Sequence, residues 1–211
     1  MTGTHDATAA EQRRLAAVPS IAEVAARHVD DLAELRAEDL PEPLTRLGAP
    51  PGWRLANLEG SPVQPARVVV CGEHPDGSWD GCETIRVFGF TGVLPVDVLR
   101  ANADCTLRGL GAEHVTAGAL AAPPAAATAV RSSGSFTTAG RPVWAQFSTY
   151  VASPRPPTRG MLIEHSLVID SRCRTTLNDD IVNLSNSIHH AFLTAIEHTV
   201  GTGGAVKEVG P

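Results

Sequence analysis

Eight histidines are the residues of this chain best suited to acid–base catalysis or to binding a metal ion. Four of them directly follow a glutamate, in the pairs Glu73-His74, Glu113-His114, Glu164-His165 and Glu197-His198. Glutamate and histidine both bind zinc, but adjacent residues of a strand point to opposite faces, so such a pair cannot chelate one ion. The HExxH motif of zinc proteases is absent as well. We therefore predict no metal site and no cofactor, and interpret the histidines as surface or partly buried residues.

Two of the histidines, His165 and His190, keep an enzymatic alternative open. A small hydrolase or isomerase would use one of them as a base, next to a carboxylate. The sequence contains no Gly-x-Ser-x-Gly elbow, no phosphate-binding P-loop and no dinucleotide-binding glycine pattern. This alternative therefore requires a concave polar site that only the fold can supply.

A carboxylate pair is a separate candidate for acid–base chemistry. Asp170 ends a predicted strand and Asp179-Asp180 begins the next predicted helix, so the three could lie close together. Carboxylates in the first turn of a helix also complement the helix dipole, which explains Asp179 and Asp180 without any reaction. We favour this structural interpretation.

Four of the nine aromatic residues could line a ligand pocket between a sheet and a helix: Trp53, Trp144, Phe147 and Tyr150. Such a pocket would make the protein a small-molecule or lipid carrier. The alternative is that these side chains fill the core or its edge.

The overall charge and hydropathy exclude several classes of partner. The net charge is −6, and a nucleic-acid-binding surface would need clustered basic residues. No stretch approaches the roughly 20 apolar residues of a membrane span. Residues 1–19 lack the apolar core of a signal peptide. We expect a cytoplasmic protein, or an envelope protein if the true start lies upstream with a signal peptide.

The four cysteines contain no CxxC spacing, so a zinc ribbon is not indicated. Cys71 and Cys82 lie on consecutive predicted strands and could face each other across a hairpin. The alternative is that both are small, half-buried thiols.

The elements that must position these residues begin with a helical segment. Ser20 and Glu23 form a capping box, and the apolar spacing that follows predicts a helix over 21–37. We expect a helical extension at 1–40, a proline-rich linker at 41–52, a main domain at 53–201 and a disordered tail at 202–211.

The main domain alternates between strand and helix patterns. We predict strands at 53–57, 66–72, 83–90, 128–137, 143–152 and 160–170, helices at 93–107 and 176–199, and a loop at 119–127. These elements predict an α+β fold with an antiparallel β-sheet of about six strands flanked by helices.

This order of elements resembles a known family. A short strand entered through Pro50-Pro51-Gly52-Trp53, a hairpin, a central helix, three antiparallel strands and a final helix are similar to the PsbP-like α/β/α sandwich. The Ala- and Arg-rich composition, with one lysine, suggests an actinobacterial genome and hence the LpqN-type proteins of that superfamily. The chain differs from the lipoprotein members because it shows no signal peptide and no lipidated cysteine.

The resemblance implies an accessory partner of a larger assembly. We therefore predict a non-catalytic binding or accessory protein that acts through protein–protein contacts, with an unidentified protein partner or a second copy in a homodimer. The predicted helices of residues 1–40, with Leu32 and Leu35 on one face, are a candidate docking surface, and a sheet-edge strand is another. The carrier and the hydrolase or isomerase remain the alternatives.

Overall fold

The computed structural model describes residues 18–57, 65–75, 77–123, 127–153 and 159–201, with side chains up to residue 197. The predicted tail at 202–211, the start of the predicted extension, His5 and the side chain of His198 lie outside the described residues. The division of the chain into extension, linker and main domain stays a prediction.

Within the described residues, eight strands form one antiparallel sheet. They are β1 (Asp30–Glu34), β2 (Arg54–Leu55), β3 (Arg67–Glu73), β4 (Trp79–Thr91), β5 (Glu113–Leu120), β6 (Ala127–Thr138), β7 (Arg141–Ala152) and β8 (Gly160–Asp170). Their spatial order is β2-β3-β4-β8-β7-β6-β5, and β1 pairs with the end of β4 that extends beyond β3.

Within the described residues, five α-helices pack on the two faces of the sheet, and one short 3-10 helix (Ala37–Asp39) follows β1. The α-helices are α1 (Ile21–Ala25), α2 (Glu42–Thr45), α3 (Val96–Ala101), α4 (Cys105–Gly109) and α5 (Asn178–Gly201). We call the face under α5, which carries Ile85, Tyr150 and Ile163, the α5 face. The opposite face, which carries Phe88 and Leu162 and packs against α1, α3 and α4, is the α1 face.

The long final helix α5 confirms the prediction from its apolar spacing. Its buried residues recur every three or four positions: Ile181, Leu184, Ile188, Phe192, Ala195 and Ile196. This stripe packs on the sheet through the apolar side chains of β4, β7 and β8. The seam between α5 and the sheet is therefore filled by side chains.

The helix predicted over 21–37 is wrong beyond its first turns. Ser20 and Glu23 form the capping box, but α1 ends at Ala25 and the strand β1 follows. The backbone of β4 beyond Ile85, which pairs with Arg67 at the start of β3, needs hydrogen-bond partners, and β1 supplies them. The predicted docking residues Leu32 and Leu35 instead pack against the core clusters of this chain.

The predicted sheet is confirmed as antiparallel and α+β, but its strand count of about six is too low. β1 and β5 were not predicted, and β5 extends into the loop predicted at 119–127. β5 lies at the sheet edge with most residues exposed, so it has no alternating apolar pattern to detect. The helix predicted at 93–107 is two short helices, α3 and α4, separated by a turn at 102–104.

Candidate functional site

A cavity of about 100 Å³ lies between the α1 face of the sheet and the segments that cover it. Its floor consists of side chains from three adjacent strands: Thr84, Arg86, Phe147, Thr149, Glu164 and Ser166. Its roof consists of Ser20 and Ile21 at the start of α1 and of Ala103 and Thr106 near α4. Because Phe147 and Ser166 are only half-buried, we infer that solvent reaches one side of the cavity.

The strand register places the floor residues in two rows. Arg86, Glu164 and Thr149 are direct cross-strand neighbours and form the first row. The second row lies two residues along each strand and consists of Thr84, Ser166 and Phe147. Side chains two residues apart on a strand share a face, so both rows point into the cavity.

A charged network closes one side of the cavity. The Arg86 guanidinium makes two hydrogen bonds to Glu34, at 2.9 and 3.1 Å, and reaches Glu164 at 3.5 Å. The Ala22 backbone N–H donates to the other oxygen of Glu164 at 2.7 Å. Glu164 therefore joins the first turn of α1 to the central strand β8, while it also faces the cavity.

The Glu164 carboxyl has a higher pKa than an ordinary surface carboxyl. Burial raises its pKa above the ordinary value of 4.5, against the opposing effects of the Ala22 N–H and the Arg86 charge. A carboxyl of this kind can accept a hydrogen bond when ionised and donate one when protonated. Glu164 could therefore bind a ligand atom that donates a hydrogen bond or one that accepts a hydrogen bond.

Two hydroxyl groups in the cavity have no hydrogen bond within the described part of the chain. The Thr149 side chain is 4% exposed, and neither its hydroxyl nor that of Ser166 has such a partner. Both hydroxyls are therefore available to bind a polar molecule in the cavity.

The roof of the cavity is held by α4. The Thr106 hydroxyl donates to the Pro19 carbonyl at 3.0 Å, and the Cys105 thiol approaches the same oxygen at 3.7 Å. The chain therefore enters α1 in a defined position above the two rows of floor residues.

Replacing Glu164 by glutamine is expected to change how stability depends on pH. Because the folded carboxyl has a raised pKa, the wild-type protein loses stability as the pH rises above 4.5 through the folded pKa. The glutamine side chain cannot ionise, and its carbonyl can still accept from Ala22. Urea denaturation of both proteins should give free energies of unfolding whose difference shifts in favour of Glu164→Gln as the pH rises, then levels off. A difference that is constant with pH would contradict the raised pKa.

The histidine–carboxylate pair of the predicted hydrolase does form, but on the opposite face. His165 Nε2 lies 3.1 Å from Glu83 Oε1, and Arg67 Nε donates to Glu83 Oε2 at 2.9 Å. The His165 and Glu83 side chains are 0% and 2% exposed and lie beneath α5. A substrate therefore cannot reach this pair, and its geometry is that of a buried structural hydrogen bond.

The second histidine of that alternative, His190, lies on α5 and is exposed. It lines an open groove of about 360 Å³ between α2 and α5, together with Glu42 and Arg46. Glu42 pairs with Arg46 instead. Among the described residues, no carboxylate is hydrogen-bonded to His190, so the geometry does not support a base at this position.

The four predicted pocket residues do not come together. Trp53 and Trp144 pack beneath the first half of α5, and Tyr150 packs beneath its second half. Phe147 alone points to the α1 face and lines the cavity. The ring of Tyr150 lies 5.1 Å from that of Phe192, so its surroundings are closely packed.

The carboxylates predicted as a pair have separate partners. Asp170 accepts hydrogen bonds from Arg172, which lower its pKa to about 2. Asp180 accepts from the Trp53 indole N–H at 3.0 Å. These contacts fix the junction of β8 and α5. Asp179 and Asp180 lie in the first turn of α5, and their favourable interaction with the helix dipole stays a prediction.

Cys71 and Cys82 cannot pair, because they point to opposite faces of the sheet. Cys71 is a direct neighbour of Gly81, and Cys82 is a direct neighbour of Val70. The side chain of Cys71 therefore shares a face with residue 81, one position away from Cys82. In the part of the chain that the structure describes, no group of three or more potential ligands could hold a metal ion.

Most residues of the cavity were not predicted as a site. The signal was present as polar residues at every second position: Thr84 and Arg86 on β4, Glu164 and Ser166 on β8. Polar residues at every second position normally form the solvent-exposed face of a strand. Only the packing of α1 and α4 over this face makes it a site.

The fold is similar to that of a solved structure. LpqN of Mycobacterium tuberculosis, described as involved in cell envelope biogenesis, matches with a TM-score of 0.59 at 16% identity, over 80% of this chain and 95% of LpqN. Human STARD10 matches 70% of this chain and 74% of its own at 13% identity, with a TM-score of only 0.22. A Rhizobium leguminosarum protein matches 79% of this chain and 93% of its own at 11% identity, with a TM-score of 0.21.

The likeness to LpqN confirms the fold that the element order implied, while the wider PsbP-like assignment stays a prediction. The sequence matches no protein-family profile and no curated protein. Over the described residues, no helix is both long and apolar enough to cross a membrane.

Proposed function

We propose that this chain is a non-catalytic binding protein whose ligand site is the cavity beneath α1. The observation that carries the proposal is the combination, in one cavity, of two unbonded hydroxyls, Thr149 and Ser166, with the partly buried charges of Glu164 and Arg86. Hydrogen-bonding groups of this kind fix the orientation of a small ligand.

The arrangement supports binding and offers no route to catalysis. Nucleophilic catalysis needs a nucleophile within hydrogen-bond reach of a base, at a position that substrate can occupy. The one His–Glu pair near the centre of the sheet points beneath α5, away from the cavity. The floor of the cavity contains hydroxyls and an ion pair without an adjacent imidazole side chain.

The ligand is a small polar molecule, or the polar end of a larger one. A cavity of about 150 Å³ is enough for benzene, so 100 Å³ holds only a few heavy atoms. Hydroxyl groups of a polyol could pair with Thr149, Ser166 and Glu164, and its carbon skeleton could contact Phe147 at the rim. The apolar seam beneath α5, where a lipid chain would have to lie, is packed.

The protein also fits an accessory role in the cell envelope rather than the cytoplasm. This part of the proposal rests on the shared fold with LpqN, which is described as involved in cell envelope biogenesis. Fold alone does not confer function, so the location requires its own experiment, such as fractionation of cells that produce the tagged protein.

Methyl NMR can test the ligand site directly. Titration with glycerol, glucose and myo-inositol is expected to shift the methyl signals of Thr84 and Thr149 saturably with at least one of them. Titration with octanoate tests the lipid-carrier alternative, which predicts shifts at Ile188 and Leu184 on the buried side of α5. The absence of saturable shifts at the threonines with all three polyols would overturn the proposal.

A matched pair of variants separates binding from general effects. Thr149→Val keeps the shape of the side chain but removes its hydroxyl, so polyol affinity should fall about tenfold, the loss of one buried hydrogen bond. Thr137→Val makes the same change at an exposed position of β6 and should leave the affinity unchanged. Equal affinities of the two variants would contradict a role of Thr149.

A further inference from the structure

The outer edge of β5 is not paired with any strand of the described residues. β5 ends the strand order of the sheet, and its partner β6 occupies only its inner edge. The side chains of residues 116–119 are exposed. An edge strand presents a row of unpaired backbone N–H and C=O groups, which is a template for another strand.

The opposite edge of the sheet is protected in the usual ways. β2, the last strand there, has two residues, and Arg54 in it forms a salt bridge with Glu73. β1, on the same side, begins with Asp30 and Asp31 and has an irregular register at this point. Short strands, charges and bulges all oppose pairing with another sheet edge.

The edge of β5 has none of these features over most of its length. Residues 115–120 read Val-Thr-Ala-Gly-Ala-Leu, without a charge or a proline. The bulge is confined to the start of the strand, where His114 has a φ of 52° and the register shifts. From Thr116 to Leu120 the register with β6 is regular, so no bulge interrupts the outer edge of this stretch.

We propose that this edge pairs antiparallel with β5 of a second copy of the chain, which joins two eight-stranded sheets into one. Antiparallel pairing about a two-fold axis places one residue opposite its own copy. Ala117 is the centre of residues 114–120 and suits this position. Val115 of each copy then lies opposite Ala119 of the other, on the same face of the joined sheet.

The absence of charge on residues 115–120 favours a second copy over a basic partner at this edge. Each copy has a net charge of −6, so two copies repel each other wherever acidic groups meet. Residues 115–120 carry no charge, and the small side chains of Ala117, Gly118 and Ala119 allow close approach. A basic partner would find no acidic group along this stretch to pair with.

The joined sheet is expected to be a weak dimer. One strand pair is at the small end of specific interfaces, which bury less than about 1,200 Å². Sedimentation velocity of the full chain over a dilution series should therefore show a dimer that dissociates on dilution. A chain that remains monomeric at the highest concentrations would overturn the proposal. This inference does not depend on the ligand cavity, which lies on the α1 face of the sheet centre.

A charge variant tests the position of the interface. Ala117→Lys places two ammonium groups opposite each other at the axis, so the dissociation constant should rise at least about tenfold. Thr137→Lys adds the same charge at an exposed position of β6 and should leave the dimer intact. Dimers of equal strength in both variants, or loss of both, would contradict pairing through β5.

Cross-linking provides a second measurement that does not depend on stability. Cysteines opposite each other at a two-fold axis lie within the 4.4–6.8 Å Cα separation that a disulfide tolerates. Ala117→Cys should form a covalent dimer on mild oxidation, whereas the wild-type protein and Thr137→Cys should not. Circular dichroism should show that each variant is folded. A folded Ala117→Cys protein that forms no covalent dimer would overturn the proposed register.

Discussion

Replacing Glu83 by alanine is expected to lower the free energy of unfolding by about 3–5 kcal/mol, the cost of breaking a buried ion pair. The carboxylate is 2% exposed and joins His165 to Arg67 beneath α5. Its loss leaves the Arg67 charge and the His165 Nε2 without their partner. Arg67 also donates to the carbonyls of Leu47 and Gly48, so the segment before β2 should loosen as well. Urea denaturation followed by circular dichroism would measure the change.

The matched control is Glu73→Ala, which removes the exposed salt bridge between Glu73 and Arg54 on the same hairpin. Exposed pairs contribute about 0–1 kcal/mol, so this variant should stay close to the wild type. If Glu83→Ala were no more destabilised than Glu73→Ala, the buried pair would not stabilise the fold. A double-mutant cycle with Arg67→Ala would isolate the pair itself.

The contribution of Glu83 should also disappear in acid. Burial alone would raise its pKa, but the hydrogen bonds and charges of His165 and Arg67 outweigh burial and lower it below 4.5. The stabilisation is therefore present above pH 4.5 and is lost as the pH falls through the folded pKa. The wild type and Glu83→Gln should accordingly converge in stability in this acid range, the reverse of the trend expected for Glu164→Gln.

Replacing Phe192 by alanine is expected to cost about 3–5 kcal/mol, the usual cost of truncating a fully buried aromatic side chain. Phe192 is 0% exposed and packs on the ring of Tyr150 with 5.1 Å between ring centroids. Around it lie Ile188 of the same helix and Ile163 of β8. The variant should therefore unfold at lower urea concentration with little change in the slope of the transition.

Val182→Ala on the same helix is the control, because Val182 is 47% exposed. It should change stability by no more than about 0.5 kcal/mol. The comparison also tests whether the seam beneath α5 is packed. If Phe192→Ala lowered the free energy of unfolding as little as Val182→Ala does, the seam would be loosely packed. That result would support the carrier alternative.

Local sequence patterns predicted the elements that bury one continuous face. The apolar stripe of α5 is set by residues three or four positions apart, and the alternation in β4 is set by residues two positions apart. Burial follows directly from that spacing. The capping box at Ser20 and Glu23 is local in the same sense. These signals sufficed for the α+β class and for the order of elements that the likeness to LpqN confirms.

Strands that depend on a partner elsewhere in the chain could not be predicted in this way. Residues 30–34 have the apolar spacing of a helix, but their backbone pairs with β4, more than fifty residues away. β5 is a strand only because β6 pairs with it, and its exposed side chains leave no periodic pattern. In both cases long-range backbone hydrogen bonds override local preference.

The same distinction applies to the candidate site, which depends partly on local sequence and partly on tertiary packing. The sequence by itself determined which residues could do chemistry, including the Glu164-His165 pair on β8, and the strand alternation that sends the two side chains to opposite faces. Only the tertiary structure decided what each face became. The packing of α5 buried His165 with Glu83, whereas α1 and α4 left a cavity in front of Glu164. The physical reason is that burial, solvent access and charge pairing depend on which element covers a face. The residues of the face itself do not specify that covering element.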